Sequence, residues 1–146
     1  MKNRLRSKDK AEEMGVKPLM KLLGICSEGV DPKVMGLGPA VSIPRCLIQA
    51  DLRFEDVDYW EINEAFASQF LGVGRMLEED FDIHLNLEKV NRNGSGIALG
   101  HPIGCTALRI IVSLYYELAR QDLKIGGASL CVGGGPGMAS LWTRNI

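Results

Sequence analysis

Three side chains in this sequence combine a reactive type with a setting that favours chemistry: an asparagine, a histidine and a cysteine. Asn63 follows the run Val57-Asp-Tyr-Trp-Glu-Ile62 and precedes a segment of helical spacing. His101 lies in Gly94-Ser-Gly-Ile-Ala-Leu-Gly-His-Pro-Ile-Gly104, just ahead of an apolar stretch. Glycines there allow close backbone approach to a ligand, and Pro102 fixes φ, so the imidazole is held in place. Cys131 precedes Gly133-Gly-Gly-Pro-Gly137, whose backbone N–H groups are unobstructed by side chains and can stabilise a thiolate or an oxyanion. Each position also has a plainer reading. His101 suits an ordinary tight loop. Cys131 suits a strand interior, as a small hydrophobe. Asn63 taken alone reads first as a helix N-cap. His84 stands alone without partners, and Cys26, Cys46 and Cys105 read as packing residues. The glycine run does not follow G-x-G-x-x-G into a helix, so it supports a dinucleotide site only weakly. There is no C-x-x-C pair and no histidine at ligand spacing, so no metal centre is expected.

Secondary-structure elements must position these groups. Residues 8–15 read as a short charged helix stopped by Gly15, and 18–26 as a strand followed by a turn through Gly29-Val-Asp-Pro32. Pro44 limits any helix near 40–50 and suits a first turn, capped by Ser42, better than an interior. Residues 57–62 read as a second strand. Residues 64–77 carry Phe66, Phe70, Val73 and Leu77 at helical spacing. Residues 104–120 are apolar around most of the circumference, which predicts a helix buried on more than one side. Two short β-prone runs flanking the glycine loop predict a final antiparallel hairpin. Strands and helices alternate up to that hairpin, so the class is α/β with a mixed sheet. Asn63, His101 and Cys131 then fall in strand-to-helix turns or a hairpin loop, at the end of the sheet where α/β sites form.

Composition excludes several function classes. The chain has 146 residues, 46% hydrophobic and 24% charged, which is one ordinary domain with a real core. Its formal charge of −1 provides no global basic field for nucleic acid. Lys2, Arg4, Arg6, Lys8 and Lys10 cluster at the start, without interleaved aromatics, and read as a solvated arm. No apolar run approaches the ~18 residues needed to span a bilayer. The four scattered cysteines suit reduced thiols, so a cytoplasmic protein is expected, with neither nucleic acid nor membrane as partner.

Four segments together resemble the thiolases, specifically their C-terminal domain: Met35-Gly-Leu-Gly-Pro39, Asn63-Glu-Ala-Phe-Ala67, Asn93-Gly…Gly100-His-Pro-Ile-Gly104 and Cys131-Val-Gly-Gly-Gly-Pro-Gly137. Their order and separation agree with that family. The resemblance covers almost everything from about residue 8 onward, leaving 1–7 as an arm or an artificial start and 8–146 as the thiolase C-terminal domain. It implies a mixed five-stranded sheet with helices packed on it.

The resemblance also implies roles. His101 would activate a nucleophilic cysteine and help form an oxyanion hole for a CoA thioester carbonyl. Asn63 would hold a water completing that hole. Cys131 would be the acid/base at the α-carbon, with the Gly133 N–H contributing to a second oxyanion hole, and Ala65 and Phe66 would line the pantetheine channel. Carbon–carbon bond formation between acyl-CoAs needs preorganised donors for an enolate and a base near neutral pKa, which a tuned thiolate supplies. CoA thioesters enter as substrates, and no resident cofactor is expected. The family's nucleophile lies in an N-terminal half that matches no segment here, so the expected partners are an acyl-CoA and that half, on another chain or missing, in a homo- or hetero-oligomer. Retention of the three groups favours an acyltransferase over a non-catalytic subunit binding acyl-CoA or lipid, or serving assembly. Thr106-Ala107-Leu108 and Ser95 depart from common family residues near the histidine loop.

Overall fold

A computed structural model describes residues 5–146, so Lys2 and Arg4 of the basic arm lie outside the described residues. Ser7 caps α1 (Lys8–Glu13) by accepting from the Lys10 N–H, and Gly15 ends the segment at φ +61°, as its tolerance for that conformation predicts. Four strands follow among the described residues: β1 (Lys21–Gly29), β2 (Tyr59–Ile62), β3 (Ile125–Cys131) and β4 (Pro136–Thr143). Their order in the sheet is β1-β4-β3-β2. The β1–β4 and β3–β4 pairs are antiparallel and β2–β3 is parallel, so the sheet is mixed as expected.

The sheet has four strands and not five. Beyond the β2–β3 ladder, β2 makes a single further parallel bridge among the described residues, Trp60 with Val90. A 3₁₀ turn over Leu87–Lys89 precedes that bridge, and Asn91 takes φ +50° directly after it, so no ladder extends from it. β1 also starts later than the expected 18–26. Its ladder runs from Lys21 opposite Thr143 to Gly29 opposite Pro136, so its bounds are set by the partner strand.

Pro44 does not limit the second helix. α2 (Gly38–Gln49) runs through it, with Pro39 in the first turn. Ser42 is accordingly no cap; it is buried, with its hydroxyl 3.4 Å from that of Ser129 on β3. Pro44 cannot donate one intrahelical bond, but Ala40, Ile43, Cys46 and Leu47 bury the helix against the sheet, and that packing outweighs the loss. α3 (Ala67–Phe81) buries Val73 and Leu77, while Phe66 sits at its N-cap position, 72% exposed and outside the core stripe. The short α4 (Gly96–Leu99) leads to α5 (Thr106–Arg120). α5 buries Thr106, Ile110, Leu114, Glu117 and Leu118, a single stripe at helical spacing. Leu108 and Tyr116 are exposed, so the expected burial on more than one side is absent.

Alternation along the strands divides the core. Trp60 and Ile62 face α2 and α3, where they join Ile43, Val73, Leu77 and Leu141. Tyr59 and Ala128 face α5, with Ile110, Leu114, Leu118 and Trp142. Among the described residues, no helix is long and apolar enough to cross a membrane.

Candidate functional site

The parallel pairing of β2 with β3 brings the first two groups to one end of the sheet. Ile62 lies opposite Ser129, and the Asn63 N–H donates to the Ser129 carbonyl at 2.9 Å. Asn63 therefore lies beside Ser129 near the end of β3, two residues before Cys131. It is no N-cap: α3 begins at Ala67, and Asn63 is 2% exposed under the turn preceding α4. Its Oδ1 is buried with no hydrogen-bond partner among the described residues. Ser95, also fully buried, donates to the Ile62 carbonyl, and a Cβ on Gly96 would stand 3.1 Å from Asn63 Oδ1.

Cys131 is buried at the end of β3, opposite Gly137. The hairpin loop closes through Val132 N–H to the Pro136 carbonyl, and Gly134 and Gly135 take φ of +99° and +113°, which L side chains rarely adopt. Gly133 lies in this loop, exposed, and among the described residues its N–H makes no hydrogen bond. Burial pushes the Cys131 thiol above its ordinary value, with a backbone hydrogen bond opposing it. The near-neutral thiolate that the glycine-rich setting suggested is therefore not the form favoured here; the group is a neutral thiol.

His101 is placed by α5. A Cβ on Gly126 would meet Leu114 and Leu118, and Gly126 pairs with Tyr59, so this part of α5 lies over the start of β2 and β3. Ile110, earlier on α5, belongs to the same core cluster as Ala128, further along β3, and only residues 121–124 join the end of α5 to the start of β3, so helix and strands run in opposite directions. From Leu114 back to Thr106 is about 12 Å of helix, and Tyr59 to Asn63 is about 13 Å of strand. The start of α5 therefore comes level with Asn63. There the Thr106 hydroxyl lies 2.8 Å from His101 Nδ1 and 3.3 Å from the Pro102 carbonyl, fixing an otherwise exposed imidazole. His101 makes no hydrogen bond to Asn63 or Cys131 among the described residues; the three share one end of the sheet without touching through polar contacts. Ala65 and Phe66 are exposed beside Asn63, with the Ala65 N–H donating to Gln69 Oε1 at 3.0 Å.

Several expectations change. Cys105 is exposed just before α5, so it does not pack; Cys46 is buried and does, and Cys26 is half-buried. His84 is not without partners, lying 3.4 Å from Glu78 and 3.6 Å from Asp82 on the surface. The sequence marks Thr106 only as a departure near the histidine loop and not as a partner of His101, and it does not single out a buried polar group on β2. Glu61 is fully buried, with Oε1 accepting from the Tyr59 hydroxyl at 2.9 Å. Burial pushes its pKa up to about 7, against the Tyr59 hydrogen bond and the charge of Arg109. A signal existed: a carboxylate inside an apolar strand run, with a histidine loop leading straight to a hydroxyl residue at a helix start.

Comparison with known proteins follows the same outline. The family described as "Thiolase, C-terminal domain" matches residues 16–144. An acetyl-CoA acetyltransferase of Syntrophomonas wolfei is 48% identical over 133 residues, which is 91% of this chain and 33% of that protein. A 3-ketoacyl-CoA thiolase of Bacillus subtilis is 42% identical over 138 residues, 94% of this chain and 34% of the relative. Among solved structures, that of an acetyl-CoA acetyltransferase from Syntrophomonas wolfei superposes with a TM-score of 0.93 at 70% identity, covering 96% of this chain and 35% of that one. Human mitochondrial 3-ketoacyl-CoA thiolase in complex with CoA superposes with a TM-score of 0.88 at 39% identity, over 95% and 34% of the two chains. The chain thus spans about a third of the length of the curated relatives it matches.

Proposed function

The chain belongs to the thiolase family, and from that premise we propose that it provides the C-terminal part of an acyltransferase acting between CoA thioesters. The reaction is condensation of two acetyl-CoA molecules to acetoacetyl-CoA and free CoA, or the reverse thiolysis. The observation that carries this reading is the convergence of Asn63, Cys131 and the Thr106-held His101 at one end of the sheet.

His101 takes the proton of a nucleophilic cysteine, which belongs to the part of the relatives' length that this chain does not span. The acyl group passes from CoA sulfur to that cysteine. Cys131, a neutral thiol at rest, gives its proton to the departing CoA thiolate. The resulting Cys131 thiolate removes the α-proton of the second acetyl-CoA, the enolate attacks the acyl-enzyme carbonyl, and the carbon–sulfur bond to the nucleophilic cysteine breaks, its sulfur recovering the proton held by His101 as acetoacetyl-CoA is released. Asn63 through a held water, with His101, faces one developing oxyanion, and the Gly133 N–H faces the other. Ala65 and Phe66, both exposed beside Asn63, line the approach of the pantetheine arm.

Thiolysis of acetoacetyl-CoA by this chain, alone and mixed with the N-terminal part of a thiolase, tests the reading. Turnover in the mixture alone is the expected result. Silence in both, with the chain folded, would defeat it. In that mixture, Thr106→Val should lower kcat/KM about 2- to 10-fold, the worth of one hydrogen bond of ~0.5–1.5 kcal/mol lost from the imidazole. An unchanged value would remove Thr106 from the account.

Leu108 on α5 is 47% exposed and Ile103 just ahead of it 91%, apolar surface of the kind a further part of a thiolase covers. The chain alone should therefore self-associate in sedimentation velocity. A monomer that binds no hydrophobic dye would contradict this.

A further inference from the structure

Between β2 and α5 lies a group of polar atoms that the proposed reaction does not use. Tyr59, Glu61 and Asn63 alternate onto the face of β2 that meets α5. Glu61 is 0% exposed and Asn63 2%. Glu61 Oε2, Asn63 Oδ1 and all three nitrogens of the Arg109 guanidinium are buried, each without a hydrogen-bond partner among the described residues. Arg109 stands three residues after Thr106, one helical turn further along the strip of α5 that comes level first with Asn63 and then with Glu61. The charge of Arg109 acts on Glu61, although no hydrogen bond or ion pair joins the two directly, and buried polar groups of opposite kind on facing elements are satisfied by one another or through an ordered water.

We propose that Arg109 and Glu61 form a buried pair that sets the orientation of the Asn63 side chain, Arg109 donating toward Asn63 Oδ1 while Glu61 holds the guanidinium. The Asn63 amide N–H groups are then the end left to hold the water at the oxyanion site, which rests on the role given to Asn63 above. Arg109 and Glu61 touch no substrate and are positioning residues. The charge of Glu61 matters to the arrangement, and that charge is set by its surroundings: Tyr59 on its own strand, Glu64 just beyond it, Arg109 and Glu117 on α5, and Arg92, whose N–H meets the Tyr59 hydroxyl. As pH falls through about 7, Glu61 takes up a proton and loosens its hold on Arg109.

The test is the Asn63 side-chain amide signal of the full ¹⁵N-labelled chain, followed from pH 5 to 9, roughly two units either side of that midpoint. The signal should move with a midpoint near 7 in the unaltered chain. It should stay still in Glu61→Gln and lose its protection from exchange in Arg109→Met, with partial recovery in Arg109→Lys. An Asn63 signal that ignores pH in the unaltered chain, or that is the same in both the Met and Lys variants, overturns the proposal, and the first of these needs no variant to fold. The readout needs no turnover. A moving signal with no activity in the mixture would leave the pair standing and defeat the acyltransferase reading; a still signal with full activity would do the reverse.

Discussion

Cys131→Ser will leave the chain folded and lower thiolysis in the reconstituted mixture by about 10²- to 10⁴-fold, the range that a positioned general acid/base contributes. Serine nearly preserves volume, and the site at the end of β3 is buried but ends in an open loop, so little packing is lost. The hydroxyl cannot replace the thiol, because its pKa lies far too high to give up a proton at neutral pH and then recover one from an α-carbon. Steady-state rates with acetoacetyl-CoA, beside circular dichroism of the variant, measure both halves of the prediction. Unchanged turnover would take the acid/base role away from Cys131. The raised pKa of this thiol adds a direction: the rate of the step that needs the thiolate should still climb as pH rises past the ordinary thiol range.

The largest effect on stability should come from Gly137→Ala. Gly137 on β4 packs against Gly38 at the start of α2, backbone to backbone; a Cβ there would stand 2.1 Å from the Gly38 carbonyl oxygen. Neither partner is a flexible side-chain end. Relief requires moving α2 off the sheet, and overpacking of this kind falls at or above the upper end of ~1–3 kcal/mol. For a chain of this length that lowers the melting temperature by roughly 10 °C. Gly133→Ala is the control, since nothing lies within 4 Å of a Cβ there and its φ is not positive; its melting point should hardly move. Gly137 pairs with Cys131 across the hairpin, so the first substitution should also weaken turnover more than its stability loss alone explains. Equal melting points for the two variants would show that α2 yields freely.

Much of this arrangement was legible in one dimension. The hairpin could be read from two β-prone runs around a glycine loop, and α3 and α5 from apolar spacing, because those patterns are local consequences of side-chain period. The proline rule misled at Pro44 because it weighs one missing N–H and cannot see the buried face that holds α2 to the sheet. Spacing on α5 misled in a different way. It counts apolar residues, and Leu108 is as apolar as Leu114, yet only one of them meets the sheet. Cys105 was misplaced for the same reason. The fifth strand came from resemblance alone, and one bridge at Val90 shows where the backbone turns away instead.

Asn63, His101 and Cys131 were identifiable as a set from residue type, flanking glycines and motif order, since each motif is contiguous in the chain. Their meeting place was not. It depends on β2 pairing in parallel with β3 in one register, and on α5 running back along both strands. Long-range pairings of this kind leave no mark at fixed sequence spacing. The same holds for the electrostatics. Glu61 is an ordinary glutamate in sequence, and only the removal of water from around it, which outweighs the opposing charge of Arg109, turns it into a group that titrates near neutrality. Sequence determined which groups are present and which local turns hold them. Tertiary structure decided which of those groups share a space without water, and burial of that kind sets both the protonation of Cys131 and the setting of Asn63.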